Sequence, residues 1–523
     1  MRRQVRTAVI SVLLLCSMLL ASCGDAAVSG QAASTLRVGI PAVTDSFDFF
    51  NAPNGYESYS MAQIYDTLLR KDENGSYVPG LADSYEISDD AKIFTFRLDP
   101  DAKWSDETPV TSSDVAFSMQ KLKESKYVSY IYEPLLDTVE TPDAHTVVIR
   151  LTKPSVSFLE YLANPFYSAV LSEKAYEKYG DRYGTSVDTI VSSGPYRLTE
   201  WNVGTSLVYE ANEQYYRDVP SIKHVELMTM SDSSSAMMAL QTGEIDVYFD
   251  DVPGVSRDMM MNRDDIRVFD YTSTALYCIF LNTREGLFTD PDMRRAVALA
   301  VNRQDYVTVG TEGYGEVADY PGDRDDIGDP ELHGIWDEYY GAGIDAAKKL
   351  VKKCGCEGRK VVIKTYSTNP YPELATVLQD ALNRIGLKAE VEQIERAAFI
   401  DQVLDHGDFE IQICRWAAAT EDMDEIVYGS LHSDSIGAPG NWSFYTPSPE
   451  MDELITSAAG ESDEAARKEM YGTIIRQFVS DCVYIPLYYP TSSRAYDSNL
   501  EIRDGLQKYD LFANYSWRKE AAG

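Results

Sequence analysis

Adjacent carboxylates at Asp250/Asp251 and Glu421/Asp422 have the chemistry of a general acid and base, yet a chain with 83 Asp and Glu produces such neighbours by chance. Other catalytic groups are sparse. His145, His224, His333, His406 and His432 all stand more than four residues apart, so a multi-histidine metal centre would have to be assembled from distant segments. There is no G-x-S-x-G elbow, H-E-x-x-H helix, Walker loop, G-x-G-x-x-G turn between strand and helix, or S-x-x-K with S-D-N. The sequence therefore nominates no catalytic residue, no cofactor and no metal ligand, and a non-enzymatic role is expected.

The seven cysteines divide by position. Cys16 falls in an apolar stretch, residues 8–20, behind Arg2, Arg3 and Arg6; it is too short for a comfortable membrane span and has the form of a signal peptide over 1–22. The stretch ends in Leu20-Ala21-Ser22-Cys23, which resembles a bacterial lipobox. That resemblance implies an acylated Cys23 on the outer face of the cytoplasmic membrane, with 24–34 as a small-residue tether. Cys278, Cys354, Cys356, Cys414 and Cys482 remain, without the paired C-x-x-C of a structural zinc site. Cys354-Gly355-Cys356 reads as a helix end with glycine at the cap, and a Cys414–Cys482 disulfide stays open.

The residues that could recognise a ligand need a scaffold. With 523 residues, 44% of them hydrophobic, the chain can fill two or three domains. Its 36 Tyr, 17 Phe and 6 Trp suit a buried cavity as well as an ordinary core. A net charge of −36 argues against nucleic acid as a partner. Strand patterns fall at 36–40, 93–98, 147–151, 207–210, 225–228, 245–249, 275–281, 361–366, 389–394 and 410–414. Helix patterns fall at 59–69, 113–123, 234–241, 292–306, 344–353, 373–385, 398–404 and 465–478. The interleaving is that of an α/β protein. Residues 316–343, dense in Asp, Gly and Tyr, read as a long surface excursion. The run 323–329 within them matches a calcium loop poorly, because the ligand spacing is wrong.

Several segments carry a stronger signal together: Ile64-Tyr65-Asp66-Thr67-Leu68-Leu69, Pro79-Gly80-Leu81-Ala82-Asp83-Ser84-Tyr85, Phe94-Thr95-Phe96-Arg97-Leu98, and Lys103-Trp104-Ser105-Asp106-Glu107-Thr108-Pro109-Val110 leading to Asp114. Ser193-Gly194-Pro195-Tyr196, the turn Leu240 to Asp246, and Leu281-Asn282-Thr283 before Arg294 and Asn302-Arg303 continue it. From about residue 35 to 517 the chain resembles the extracellular solute-binding proteins of family 5, which serve dipeptide, oligopeptide and nickel ABC importers. Where Glu107 stands, the family usually has glycine. The resemblance implies a bilobal periplasmic-binding-protein-like fold of the large, type II peptide-binding subclass. Lobe one would comprise 35–77, 186–285 and 489–523, with a family-specific subdomain at 78–185 and lobe two at 286–488. It further implies a monomer that closes on a small, peptide-like solute and delivers it to a permease and its ATPase. The motif residues themselves read as scaffold, with Thr111 or Ser112 capping the helix that holds Asp114.

Peptide-binding members commonly carry a pattern like W-x-A-D-Y-P-D-P-D, whose first Asp pairs with the peptide's α-amino group. Here the stretch is Trp416-Ala417-Ala418-Ala419-Thr420-Glu421-Asp422-Met423-Asp424, followed by Leu431-His432-Ser433. Ala419 occupies the amine-pairing position. A buried ammonium without a carboxylate costs several kcal/mol, on the order of three decades in affinity. Either Glu421 substitutes, or the ligand is a modified peptide, an oligosaccharide or a metal chelate whose carboxylate suits Arg415 beside Trp416. The ligand-contact candidates are thus Arg415, Trp416, Ala419, Thr420, Glu421 and Asp422. Asp45 and Phe47 join them from the loop after the first strand, and Tyr277 and Asn282 from the strand before the expected hinge. His432 reads as structural.

Overall fold

The computed structural model describes residues 35–51, 56–72, 74–324, 327–418, 420, 422–437, 440–503 and 511–518. Cys23, Ala419 and Glu421 lie outside them. The first strand, Thr35–Ile40, runs parallel to His224–Thr229 and Val247–Tyr248. Ser206–Ala211 and Tyr196–Asn202 extend that sheet as an antiparallel meander. Period-two alternation buries Leu207 and Tyr209, then Val225 and Leu227.

A separate antiparallel sheet in the subdomain runs in the order Ala82–Ile87, Ile93–Leu98, Thr146–Leu151, Leu136–Asp143. The helix Ser112–Glu124 covers it with Val115, Met119 and Leu122; of the two expected caps, Thr111 is the N-cap, and it forms a capping box with Asp114. Phe94 and Phe158 of this unit share one apolar cluster with Leu36 and Leu227, so the subdomain and lobe one are a single packed body.

The second lobe has its own core, running in sequence from Leu276 to Tyr489. Its sheet orders Lys388–Ile394, Lys360–Tyr366, Ile411–Ala417 and Ala275–Leu281. Lys360–Tyr366 and Lys388–Ile394 are parallel and joined by the helix Tyr371–Arg384. That helix buries Leu374, Leu378 and Leu382 at helical spacing, and Gly386 follows with φ +98°.

One strand ties the lobes together. Tyr484–Asp497 pairs with Ala275–Leu281 through Tyr484 to Tyr488, and with Ile266–Thr272 through Thr491 to Asp497. The chain therefore crosses between the cores at 272–275 and again near 489–491. Ala275–Leu281 lies before the expected boundary at 285, yet pairs along its whole length with lobe-two strand Ile411–Ala417.

Other expectations are corrected. The helix expected at 59–69 covers only Tyr56–Met61, because residues 63–68 leave helical geometry to bond other segments. The one expected at 292–306 is two helices, Pro291–Ala300 and Arg303–Thr311, divided at Asn302, the N-cap of the second. Residues 316–343 are not a surface excursion. Tyr320, Trp336 and Tyr340 are buried in the lobe-two core, and buried Arg303 binds Asp319 and the Ala318 carbonyl. The five described cysteines are free, and Cys414 faces Cys278 across the ladder rather than pairing with Cys482. Among the described residues, no helix is long and apolar enough to cross a membrane.

Candidate site at the lobe interface

A cavity of about 570 Å³ lies between the subdomain and lobe two. Its volume falls in the range of small-molecule sites. Tyr130, Lys153 and Tyr161 come from the subdomain side, and Trp416, Tyr428 and Trp442 from lobe two. Trp416 is placed by alternation along Ile411–Ala417, where Arg415 and Ala417 are exposed and Trp416 is buried. Two glycines make room for its indole. A Cβ at Gly429 would lie 3.2 Å from Trp416 Cζ2, and one at Gly440 would lie 2.9 Å from its Nε1.

The helix Met423–Leu431 presents the cavity's acids. Asp422 is its N-cap, accepting from the Asp424 amide at 2.7 Å and from Arg467 Nη2 at 2.6 Å. Asp424 accepts from Ser157 Oγ at 2.5 Å and Ser155 Oγ at 3.3 Å, both on the opposite body. Burial, and then the neighbouring Asp422 charge, push the Asp424 carboxyl above the usual carboxylate range. Glu425 Oε2 accepts from the Thr420 amide at 2.7 Å, and Asp434 accepts from Tyr428 Oη at 3.0 Å. Lys153 Nζ stands 3.4 Å from the centroid of the Tyr428 ring, a cation–π contact. Burial lowers the Lys153 pKa against the opposing pull of Asp424 and Asp434. The arrangement combines aromatic faces with a surplus of carboxylates.

Arg415 occupies the opposite side of the same strand, directly across from Tyr277. Tyr277 stacks on Tyr488 at 4.7 Å, with 9° between the rings, and leans on Tyr371 at 5.7 Å. Burial raises the phenol pKa of Tyr277, and the Arg415 charge opposes the shift. Trp416 and Arg415, adjacent in sequence, thus serve different surfaces.

Other candidates have structural work. Asn282 Nδ2 donates to the Gly407 and Phe409 carbonyls at 3.0 Å each, and Oδ1 accepts from the Arg284 and Glu285 amides, so both ends are consumed in a buried turn. Phe47 is fully buried in lobe one, edge-on to Trp201 at 5.0 Å. Neither is available to a ligand. Asp45 is exposed and lines none of the described cavities. Thr420 is buried beneath the helix start, and Asp422 is committed to its cap and to Arg467. Sequence reasoning missed Lys153, Tyr130, Tyr161, Tyr428 and Glu425. Tyr428 and Glu425 alone had a signal, in that Asp424 with Tyr428, and Glu425 with Gly429, repeat at four residues on one helix. Nothing local could show which subdomain residues meet them.

Two further features lie apart from this cavity. Asp290, Asp292 and Cys354 approach one another within 4.8 Å, but Asp292 is already paired with Lys353. A cavity of about 350 Å³ beside Asp66, Arg70 and Tyr215 has no lobe-two wall.

The resembling segments meet one another, away from the cavity. The Gly194 amide donates to the Ile64 carbonyl at 2.8 Å, the Leu81 amide to Thr67 at 2.9 Å, and the Asp66 amide to Ser193 Oγ at 3.1 Å. A Cβ at Gly80 would lie 2.5 Å from the Thr67 carbonyl oxygen, and one at Gly194 would lie 2.6 Å from the Ile64 carbonyl carbon, so only glycine fits at either position.

Comparison with known proteins agrees with this architecture. The chain is 30% identical, over 89% of its length and 88% of the relative's, to the probable D,D-dipeptide-binding periplasmic protein DdpA of Escherichia coli. It is 28% identical to the periplasmic oligopeptide-binding protein OppA of Salmonella typhimurium, over 84% of each chain. In fold it is similar to HbpA2 from Haemophilus parasuis, with a TM-score of 0.81 and 22% identity over 92% of this chain and 100% of that one. DppA from Helicobacter pylori in complex with the peptide STSA gives a TM-score of 0.75 at 24% identity, over 93% and 98%. The profile of the bacterial extracellular solute-binding proteins, family 5 Middle, matches residues 76–438, and the chain belongs to this family.

Proposed function

We propose that this protein is the substrate-binding component of an ABC importer, held to the membrane by an acylated Cys23, which captures a peptide-like solute between its lobes and delivers it to a permease and ATPase. Capture proceeds without turnover. The observation that carries the reading is the cavity walled by both bodies, aromatic on its sides and bearing Asp424 and Glu425 from lobe two. These carboxylates offer a counter-charge for a ligand ammonium, the role that Ala419 cannot fill. Lys153 in the same wall offers one for a carboxylate, whereas Arg415 lies on the opposite face of the strand and does not line the cavity. The ligands for which these relatives are named, a D,D-dipeptide and oligopeptides, and the peptide STSA bound to DppA support a zwitterionic peptide ligand.

Thermal-shift measurements with di- to pentapeptides, their N-acetylated forms, oligosaccharides and a nickel–histidine chelate test this reading. Free peptides should raise the Tm and acetylation should abolish the shift. Stabilisation by a chelate or sugar, with none by any peptide, would overturn it. That second reading, a non-peptide ligand, is favoured by one observation, alanine at position 419.

A further inference from the structure

A third cavity, of about 550 Å³, lies at the far edge of the lobe-one sheet. Strand direction fixes its place. Thr35–Ile40, His224–Thr229 and Ile266–Thr272 all begin at this edge and Tyr484–Asp497 ends there, with Thr35 level with His224 and Ile266 with Asp497. Trp416 of the solute cavity stands instead beside Leu276, near the lobe-two half of Tyr484–Asp497. The third cavity is lined by Arg267, Arg503 and Arg518 against the carboxylates Asp218 and Glu501, a positive balance in a chain of net charge −36. Glu501 is paired with Arg518 at 3.2 Å. Arg267 and Arg503 are exposed and make no ion pair among the described residues. The walls are fixed: Ser221 Oγ donates to the Tyr515 carbonyl and the Arg503 amide to the Asn514 carbonyl, each at 3.0 Å, which holds the ribbon of Leu500–Ile502 and Tyr515–Trp517 against the sheet edge.

This edge is also where the chain enters the fold. Thr35 pairs with His224, three residues from Ser221 in the cavity lining, and residues 24–34 can span at most about 40 Å between Thr35 and Cys23. We propose that the cavity binds the phosphate of an anionic phospholipid headgroup and seats this end of lobe one on the membrane. The inference rests on the acylated Cys23 proposed above. Guanidinium groups match phosphate oxygens two at a time. Such a contact is weak for a free protein, but a short tether makes it intramolecular, at an effective concentration in the millimolar range. The net charge of −36 by itself repels an anionic surface, so attraction to one has to come from a local cluster such as this. Seated so, the molecule holds lobe two and the solute cavity away from the bilayer.

Hydrogen–deuterium exchange on the full chain in nanodiscs of phosphatidylcholine, with and without phosphatidylglycerol, tests this. Phosphatidylglycerol should slow exchange at 218–221, 266–268, 500–503 and 513–518. An arginine near an anionic surface is worth about fivefold in the bound-to-free ratio. Arg267→Gln combined with Arg503→Gln should therefore lower that protection more than tenfold, whereas Arg384→Gln, at an exposed position on a lobe-two helix, should leave it unchanged. Circular dichroism checks folding, and Arg503→Gln alone, with a fivefold loss, decides the matter if the double variant does not fold. Equal exchange in both discs overturns the proposal and leaves the anchor standing, while a chain that enters neither disc overturns the anchor and the proposal with it. Millimolar glycerophosphate added to the phosphatidylcholine discs should protect nothing; protection there assigns the cavity to a soluble phosphate and overturns the membrane seat.

Discussion

Glu107 holds a left-handed backbone, φ +69°, inside a turn where the Trp104 amide donates to the Thr108 carbonyl. A side chain in that region costs about 1–2 kcal/mol relative to glycine. Glu107→Gly should therefore stabilise the protein by up to about 1 kcal/mol once the extra freedom of the unfolded glycine is subtracted, read as a higher denaturation midpoint. His432 makes a second prediction at this scale. It is buried, stacks on Tyr428 at 4.1 Å, and donates or accepts at both ring nitrogens. Burial holds its pKa below the usual value of about 6.5, with Lys153 adding to the shift and Asp452 and Asp434 opposing it. The unfolded chain then binds a proton more readily than the folded one. This site contributes nothing above the unfolded pKa and loses stability as pH falls from there to the folded pKa. His432→Gln should flatten that part of a stability-against-pH curve. Both positions were legible in part. Glycine at the Glu107 position and a structural histidine could be read from the resemblance, whereas the donors that surround them come from distant segments.

Among the elements, strands and helices with a clean period were readable to within a few residues, as at Ile93–Leu98, Ala275–Leu281 and Ile344–Lys353. Tyr484–Asp497 was not. Pro486 and Pro490 interrupt its pattern, and proline normally argues against a central strand. Here Pro486 sits beside a register shift between Tyr277 and Cys278, and Pro490 accepts from Ser273 at the gap between the partner strands, so neither missing amide breaks a ladder. The helix Met423–Leu431 was missed because its start was read as a ligand loop, while Asp422 caps it. The paired strands also set cysteine reactivity. Cys278 and Cys414 face each other fully buried, and burial raises both thiols, while the same cause pushes Cys482 up to about 12. Iodoacetamide on the native protein, followed by mass spectrometry, should label Cys354 and Cys356 and leave these three unlabelled until the chain is denatured.

For the molecule as a whole, the bilobal plan was legible through the resemblance, but the lobe boundary and the faces that meet were not. Those depend on which surfaces dock, and no local pattern encodes docking. The two large cores are joined by two strand crossings and the contacts at 153–157. Lobe two is inserted within the chain of lobe one, so it can lose structure while its host keeps its core. Calorimetry of the ligand-free protein should show two overlapping transitions rather than one. Saturation with ligand should merge them and raise the Tm, by the equivalent of about 2.7 kcal/mol at a hundredfold excess over Kd. The glycines at 80 and 194, pressed against the 64–67 backbone, belong to the frame of lobe one and to no wall of the lobe-interface cavity. Ancestry is thus written in one part of the chain and diet in another: substitutions that retune the cargo leave the signature intact, and a search built on that signature finds the container while remaining blind to its contents.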